Sequence, residues 1–193
     1  MPFSLPQIFS QQKTGNEALT FEDENTDLKL IDFWKWSVSD IISNATRGIF
    51  AEFIVATALK IDLSAVREEW GAFDLTSPEG IKVEVKASAY IQSWEQYKLS
   101  SIQFSTKATL PWDYTIDKRS SVAVRLSDVY VFSLLHHSDQ STIDPMKLEQ
   151  WEFYVLPTSI VTNRNKNSIS LKTLQSLTMA VKYDKLREAI LNI

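Results

Sequence analysis

Asp74-Leu75-Thr76-Ser77-Pro78-Glu79-Gly80-Ile81-Lys82-Val83-Glu84-Val85-Lys86 is the stretch whose reading sets the fold. A three-residue hairpin loop favours a type I turn followed by a left-handed residue, with Pro suited to its first position and Gly to its last. Pro78-Glu79-Gly80 supplies that order. If Ser77 and Ile81 close the loop, the register places Asp74 directly opposite Glu84. Side chains alternate along a strand, so Glu84 and Lys86 share one face while Val83 and Val85 point to the other. Two carboxylates and an ammonium are thereby predicted on one patch of sheet.

Directly opposed carboxylates repel and weaken a sheet unless something positive lies between them. A divalent cation is the expected compensation. Mg²⁺ favours one or two carboxylates plus water and phosphate oxygens, so Asp74 and Glu84 are its expected ligands, with Mn²⁺ as a substitute. Such an ion polarises a phosphoryl oxygen and lowers the pKa of a bound water. Lys86 is placed to orient or help deprotonate that water, or to stabilise developing negative charge. Glu52 is a third candidate carboxylate. It lies on a helical stripe of small residues, Ala45, Gly48, Glu52 and Ala56, that lets the helix approach the sheet; it is either aimed at a polar site or paired with Arg47.

Outward from the hairpin, Ser37-Val38-Ser39-Asp40 matches a capping box, and Ile41, Ala45, Ile49, Phe53, Ala56 and Leu59 recur at helical spacing. A helix from about Ser37 to Lys60 is expected. Val66 to Leu75, Ile81 to Ala87, Val129 to Leu135 and Trp151 to Leu156 read as strands, and Lys182 to Ile193 as a closing helix. Residues 1–36, with Pro2, Pro6, Gly15 and the acidic Glu22-Asp23-Glu24, show no sustained period and are expected to form an irregular arm packed on the domain. Residues 37–193 then make one α/β (α+β) domain with a mixed sheet.

Composition bounds the classes of function. The 193 residues are 44% hydrophobic and 23% charged, which fits one globular domain. No apolar run approaches the ~18 residues of a membrane span. Zero cysteines exclude disulfides, thiolate metal sites and cysteine nucleophiles, and a cytoplasmic location is expected. No Gly-rich phosphate loop, His-Glu-x-x-His or Gly-x-Ser-x-Gly occurs. The net charge of −4 argues against coating nucleic acid by bulk electrostatics. Residues 81–125, however, hold 7 cations against 4 acids, and a local anion-binding surface there is one of two open readings, ordinary surface being the other.

The set Asp74, Glu84-Val85-Lys86, with Glu52 upstream on a helix, resembles the PD-(D/E)XK superfamily of restriction-endonuclease-like nucleases, in its uncharacterised bacterial branch. The resemblance spans about residues 37–156 and departs where Phe73 replaces the Pro before Asp74. It implies an αβββαβ core with a connecting helix between the hairpin and the next strand, and a mixed central sheet flanked by helices. It also implies Mg²⁺-dependent phosphodiester cleavage, usually of DNA, with Glu52, Asp74, Glu84 and Lys86 as the catalytic set. Carboxylates on a sheet can serve to cleave RNA as well as DNA, and a homodimer is the simplest way to cut both strands of a duplex.

Contacts to nucleic acid are expected from Arg47, from Ser88, Gln92 and Trp94 continuing the Glu84–Lys86 alternation, and from Gln103 and Lys107 on a further strand. The rival reading is a nuclease fold without catalysis that binds nucleic acid or a protein partner.

Overall fold

Turn chemistry sets the central hairpin as predicted. In the computed structural model, which describes residues 5, 8–69, 71–110, 112–113, 118–119 and 122–193, Ser77 N–H donates to Ile81 O at 2.9 Å and Gly80 holds φ 88°. Ser77 is buried, and its hydroxyl accepts from the Glu79 and Ile81 amides. A Cβ at Gly80 would meet nothing within 4 Å, so substitution there costs backbone strain alone. Gly80→Ala is expected to destabilise by about 1–2 kcal/mol, a fall of several degrees in thermal unfolding. An unchanged melting temperature would show that the turn tolerates an L-residue.

The chain divides into two units, Met1–Asp40 with Asp62–Glu68, and Ile41–Ile61 with Glu69–Ile193. In the first, β1 (Ala18–Phe21) and β2 (Glu24–Lys29) pair antiparallel around Glu22-Asp23, and α1 (Leu30–Val38) follows. The Asp32 carboxylate accepts from Lys29 N–H at 2.9 Å and so caps α1. From Ala18 onward the stretch expected to be irregular is therefore a hairpin and a helix, whereas residues 8–14 hold no regular element. Ser37 lies in the last turn of α1, so the capping-box pattern there does not start the long helix.

In the second unit that helix, α2 (Asn44–Leu59), begins after Ser43 and ends at Lys60 in the left-handed conformation, φ 59°. Its buried apolar residues are Ala51, Ile54, Val55, Ala56, Ala58 and Leu59, so Ala56 and Leu59 face inward as expected whereas Ile49 and Phe53 are half-exposed. The predicted face is thus rotated as far as Phe53 only. With only Arg47 and Glu52 charged along α2, periodicity alone had little polar contrast from which to choose a side.

The sheet order is β3 (Leu75–Thr76), β4 (Lys82–Ala89), β8 (Val129–Leu135), β9 (Trp151–Pro157). β3 is antiparallel to β4, β4 parallel to β8, and β8 antiparallel to β9, a mixed sheet as expected. All seven residues of β8 are buried, as a strand covered on both faces requires. The strand expected from Val66 to Leu75 is confined to β3; Trp70 lies outside the described residues.

Between β4 and β8 the chain passes through β5 (Gln103–Ser105), β6 (Trp112–Asp113) and β7 (Lys118–Arg119), and the described residues there form no helix in place of the connecting one. After β9 come α3 (Thr158–Asn163), β10 (Ser168–Ser170), α4 (Leu171–Leu177) and α5 (Tyr183–Leu191). One sheet face, with Val83, Val85, Val131, Trp151 and Phe153, packs with α2 and α5. The other, with Tyr130, Phe132, Tyr154 and Leu156, is covered by Ile102, Phe104, Val161, Ile169 and Leu174. Glu79 at the hairpin tip forms an ion pair with Arg187 of α5. Among the described residues no helix is long and apolar enough to cross a membrane.

Candidate active site

The short β3 strand determines how Asp74 is held. The ladder with β4 ends where Asp74 N–H donates to Val83 O at 3.1 Å. The next donor on β4, Val85 N–H, is taken by the Asp74 carboxylate, whose Oδ2 accepts at 2.7 Å. The side chain thus replaces a missing strand partner, satisfying a backbone donor and fixing the carboxylate against β4. Leu75 opposite Val83 and Thr76 opposite Lys82 set the register, and one residue beyond that ladder the Asp74 carboxylate reaches the β4 backbone on the far side of Glu84.

Lys86 Nζ lies 2.5 Å from Glu84 Oε1 and 4.0 Å from Asp74 Oδ2. The counter-charge that two opposed carboxylates demand is supplied here by the ammonium two residues along the same strand. The three side chains are 29% (Lys86), 16% (Glu84) and 21% (Asp74) exposed, so they are shielded from bulk water yet remain reachable. Burial pushes the Glu84 carboxyl above the ordinary carboxylate range; Lys86 opposes this, while Asp74 and, least of all, Glu52 add to it. Burial also acts against the Lys86 charge, but Glu84, and behind it Asp74, outweigh that and hold the ammonium above its ordinary value. Glu52, on α2, therefore belongs to the electrostatic surroundings of the site.

Two neighbours were not placed at the site by the sequence reading, Tyr130 and Arg125, the latter counted only among the cations of residues 81–125. The parallel β4–β8 register sets Tyr130 beside Glu84. Burial, then the Glu84 charge, raises the Tyr130 phenol above its usual range, against the pull of Arg125 and Lys86. It keeps its proton at neutral pH. Tyr130 sits in an apolar run that reads as core, and a parallel register reached through a long crossover leaves no local signal in sequence.

The expected nucleic-acid contacts divide. Arg47 is 1% exposed, its Nη1 donating to Ile42 O and its Nη2 to Asn44 Oδ1 and Gln92 Oε1 at 3.2 Å. Gln92, 9% exposed, also donates to Ala89 O. Both point inward, because β4 ends at Ala89 and the chain bends before Gln92. Trp94 is exposed on the loop beyond, off the predicted alternation. Ser88 is partly buried on the Glu84–Lys86 face of β4, and Gln103 and Lys107 stand exposed beside buried Phe104 and Thr106. Among the described residues, no three carboxylate or imidazole groups converge as a metal cage. The donor set near Lys86 is two carboxylates, which fits an ion that completes its shell with water and phosphate oxygens.

With the geometry established, comparison with known proteins adds the family. The family described as bacteriophage T4 endonuclease IV matches residues 6–173, most of the chain, and the chain belongs to that nuclease family. No curated protein matches.

Proposed function

We propose that this member of the bacteriophage T4 endonuclease IV family is a Mg²⁺-dependent endonuclease acting on DNA, with a site of the PD-(D/E)XK kind. The observation that carries the reading is the hairpin that brings the Asp74 and Glu84 carboxylates to one Lys86 ammonium. Asp74 and Glu84 are the residues that would hold the ion; together they outweigh the single charge of Lys86, leaving this acid–lysine set net negative. When bound, the ion supplies charge neutralisation at a phosphoryl oxygen and a more acidic water.

Lys86, held protonated, is suited to stabilising negative charge or orienting a water, and less to taking a proton from it. Glu52 acts at longer range, keeping the site attractive to cations. Hydrolysis needs no further group from the chain: water adds to phosphorus, and the 3′ or 5′ oxygen leaves with a proton.

Cleavage of labelled single- and double-stranded DNA, with RNA as the comparison, tests this in Mg²⁺ and in EDTA for wild type and Asp74→Asn. EDTA should abolish cutting, and Asp74→Asn should lower it by about two to three orders of magnitude. Undiminished cutting in EDTA would remove the metal from the mechanism. Undiminished cutting by Asp74→Asn would place the site elsewhere, and DNA binding without any cutting would favour the non-catalytic reading.

A further inference from the structure

The lobe covering the Glu84–Lys86 face of the sheet is built from two stretches without a single acid. Residues 96–110 and 158–178 hold Lys98, Lys107, Arg164, Lys166 and Lys172 and no Asp or Glu, in a chain with 24 acids. β5 and β10, one from each stretch, pair as an antiparallel ribbon with Ser105 opposite Ser168 and Gln103 opposite Ser170. The inner residues Phe104 and Ile169 pack into the core formed by Tyr130, Phe132 and Tyr154. The outer residues Gln103, Ser105 and Ser168 are exposed, and exposed Lys107 and Lys166 flank them at one end.

Arg125 ties that end together. Its Nε and Nη2 donate to Thr106 O at 3.1 and 2.6 Å, and Nη2 also reaches Lys166 O at 3.4 Å. Thr106 N–H in turn donates to Asn167 O at 2.9 Å. Arg125 is thus anchored at a junction where Lys107 follows Thr106 and Lys166 precedes Asn167 in the chain. The Arg125 charge is felt at Tyr130, which stands beside Glu84 in the register.

We propose that the outer face of the β5–β10 ribbon, with Lys107, Lys166 and Arg125, binds the phosphate backbone of the DNA strand presented to Glu84 and Lys86. The inference rests on the nuclease reading and extends it to the surface that tracks the substrate. Hydroxyls, an amide and cations with no interspersed acid are the groups that contact phosphates without reading bases. The segregation also explains how a chain of net −4 accommodates a polyanion: the site-covering lobe is basic, while residues 1–40 with 62–68 carry nine acids and four cations.

The test is the salt dependence of binding to a labelled DNA oligonucleotide in EDTA, where no cutting intervenes. Removing one lysine–phosphate pairing lowers the slope of log K against log salt by about 0.7–0.9, so Lys107→Ala/Lys166→Ala should lower it by about 1.5 and weaken binding roughly tenfold near 0.15 M salt. Both lysines are exposed, and thermal unfolding should match wild type. Lys147→Ala/Lys185→Ala, exposed lysines outside the lobe, should leave slope and affinity unchanged. An unaltered slope in the ribbon variant, an equal loss in the control, or no DNA binding by wild type would overturn the proposal. Wild-type binding with the expected ribbon dependence but no cutting in Mg²⁺ would uphold the surface and sink only the nuclease reading.

Discussion

Glu84→Gln is expected to lower cleavage by a factor on the order of 10³, about 4 kcal/mol of barrier, while raising thermal stability at neutral pH. The two effects share one cause. Burial, with help from Asp74 and Glu52, raises the Glu84 carboxyl even against Lys86, so the ionised form is less favourable in the fold than in water. A group whose folded pKa is raised gives its full stabilisation below its unfolded value and loses it as pH climbs through the folded value. At pH 7 the charge is therefore a net cost to the fold.

Gln keeps the shape of Glu and removes that charge. The melting temperature of the variant should exceed wild type by a few degrees at pH 7. The gain should shrink as pH falls and vanish below the ordinary value of 4.5, where wild-type Glu84 is protonated as well. Scanning calorimetry between pH 4 and 8 reads this directly. A variant less stable than wild type at pH 7 would mean that the Lys86 pair outweighs burial, and full activity would remove Glu84 from the chemistry.

How far sequence led depended on whether a local signal existed. The hairpin register was legible because Pro78 and Gly80 leave one comfortable turn, and once the turn is set Leu75 meets Val83 and Asp74 comes to the edge of β4. β8 and β9 were legible as apolar runs, since strands buried on both faces need no alternation to stand out. The first unit was not legible. β2 is Glu-Asn-Thr-Asp-Leu-Lys and exposed throughout, so it has no apolar face to betray it. Its turn uses Glu22 and Asp23 at φ 50° and 64°, a two-residue left-handed loop without the Asn-Gly signature that usually announces one. α1 begins after a lysine rather than a capping hydroxyl, with Asp32 reaching back to the Lys29 amide instead.

Within the site the same division holds. Asp74, Glu84 and Lys86 were readable because one hairpin brings them together. Tyr130 and Arg125 were not, because their approach depends on a parallel pairing across a long crossover. Arg47 and Gln92 were misplaced for a related reason: the alternation of β4 was carried past Ala89, where the strand stops and the chain turns the amide inward to the guanidinium.

Lys86→Met should separate metal binding from catalysis. The ammonium lies 2.5 Å from Glu84 and 4.0 Å from Asp74, in the position a divalent cation would have to share or take. With an effective dielectric near 20, a unit charge at about 4 Å from a carboxylate is worth at most about 4 kcal/mol, so the competition is substantial. Met fills the same length of strand face without charge. Calorimetric titration of Mg²⁺ should therefore show tighter binding to the variant, several-fold to tenfold, while cleavage should fall by about 10²–10³ if Lys86 meets the developing negative charge as proposed.

Removing the ammonium also removes the charge that restrains Glu84, whose carboxyl then rises further. Protons consequently compete with the metal at low pH, and the gain in affinity should be larger at pH 8 than at pH 6. Weaker Mg²⁺ binding in the variant would mean that Lys86 braces the two carboxylates for the ion instead of competing with it. Unchanged cleavage would reduce the lysine to a structural counter-ion on the strand, and the chemistry would have to be sought among Tyr130 and Arg125.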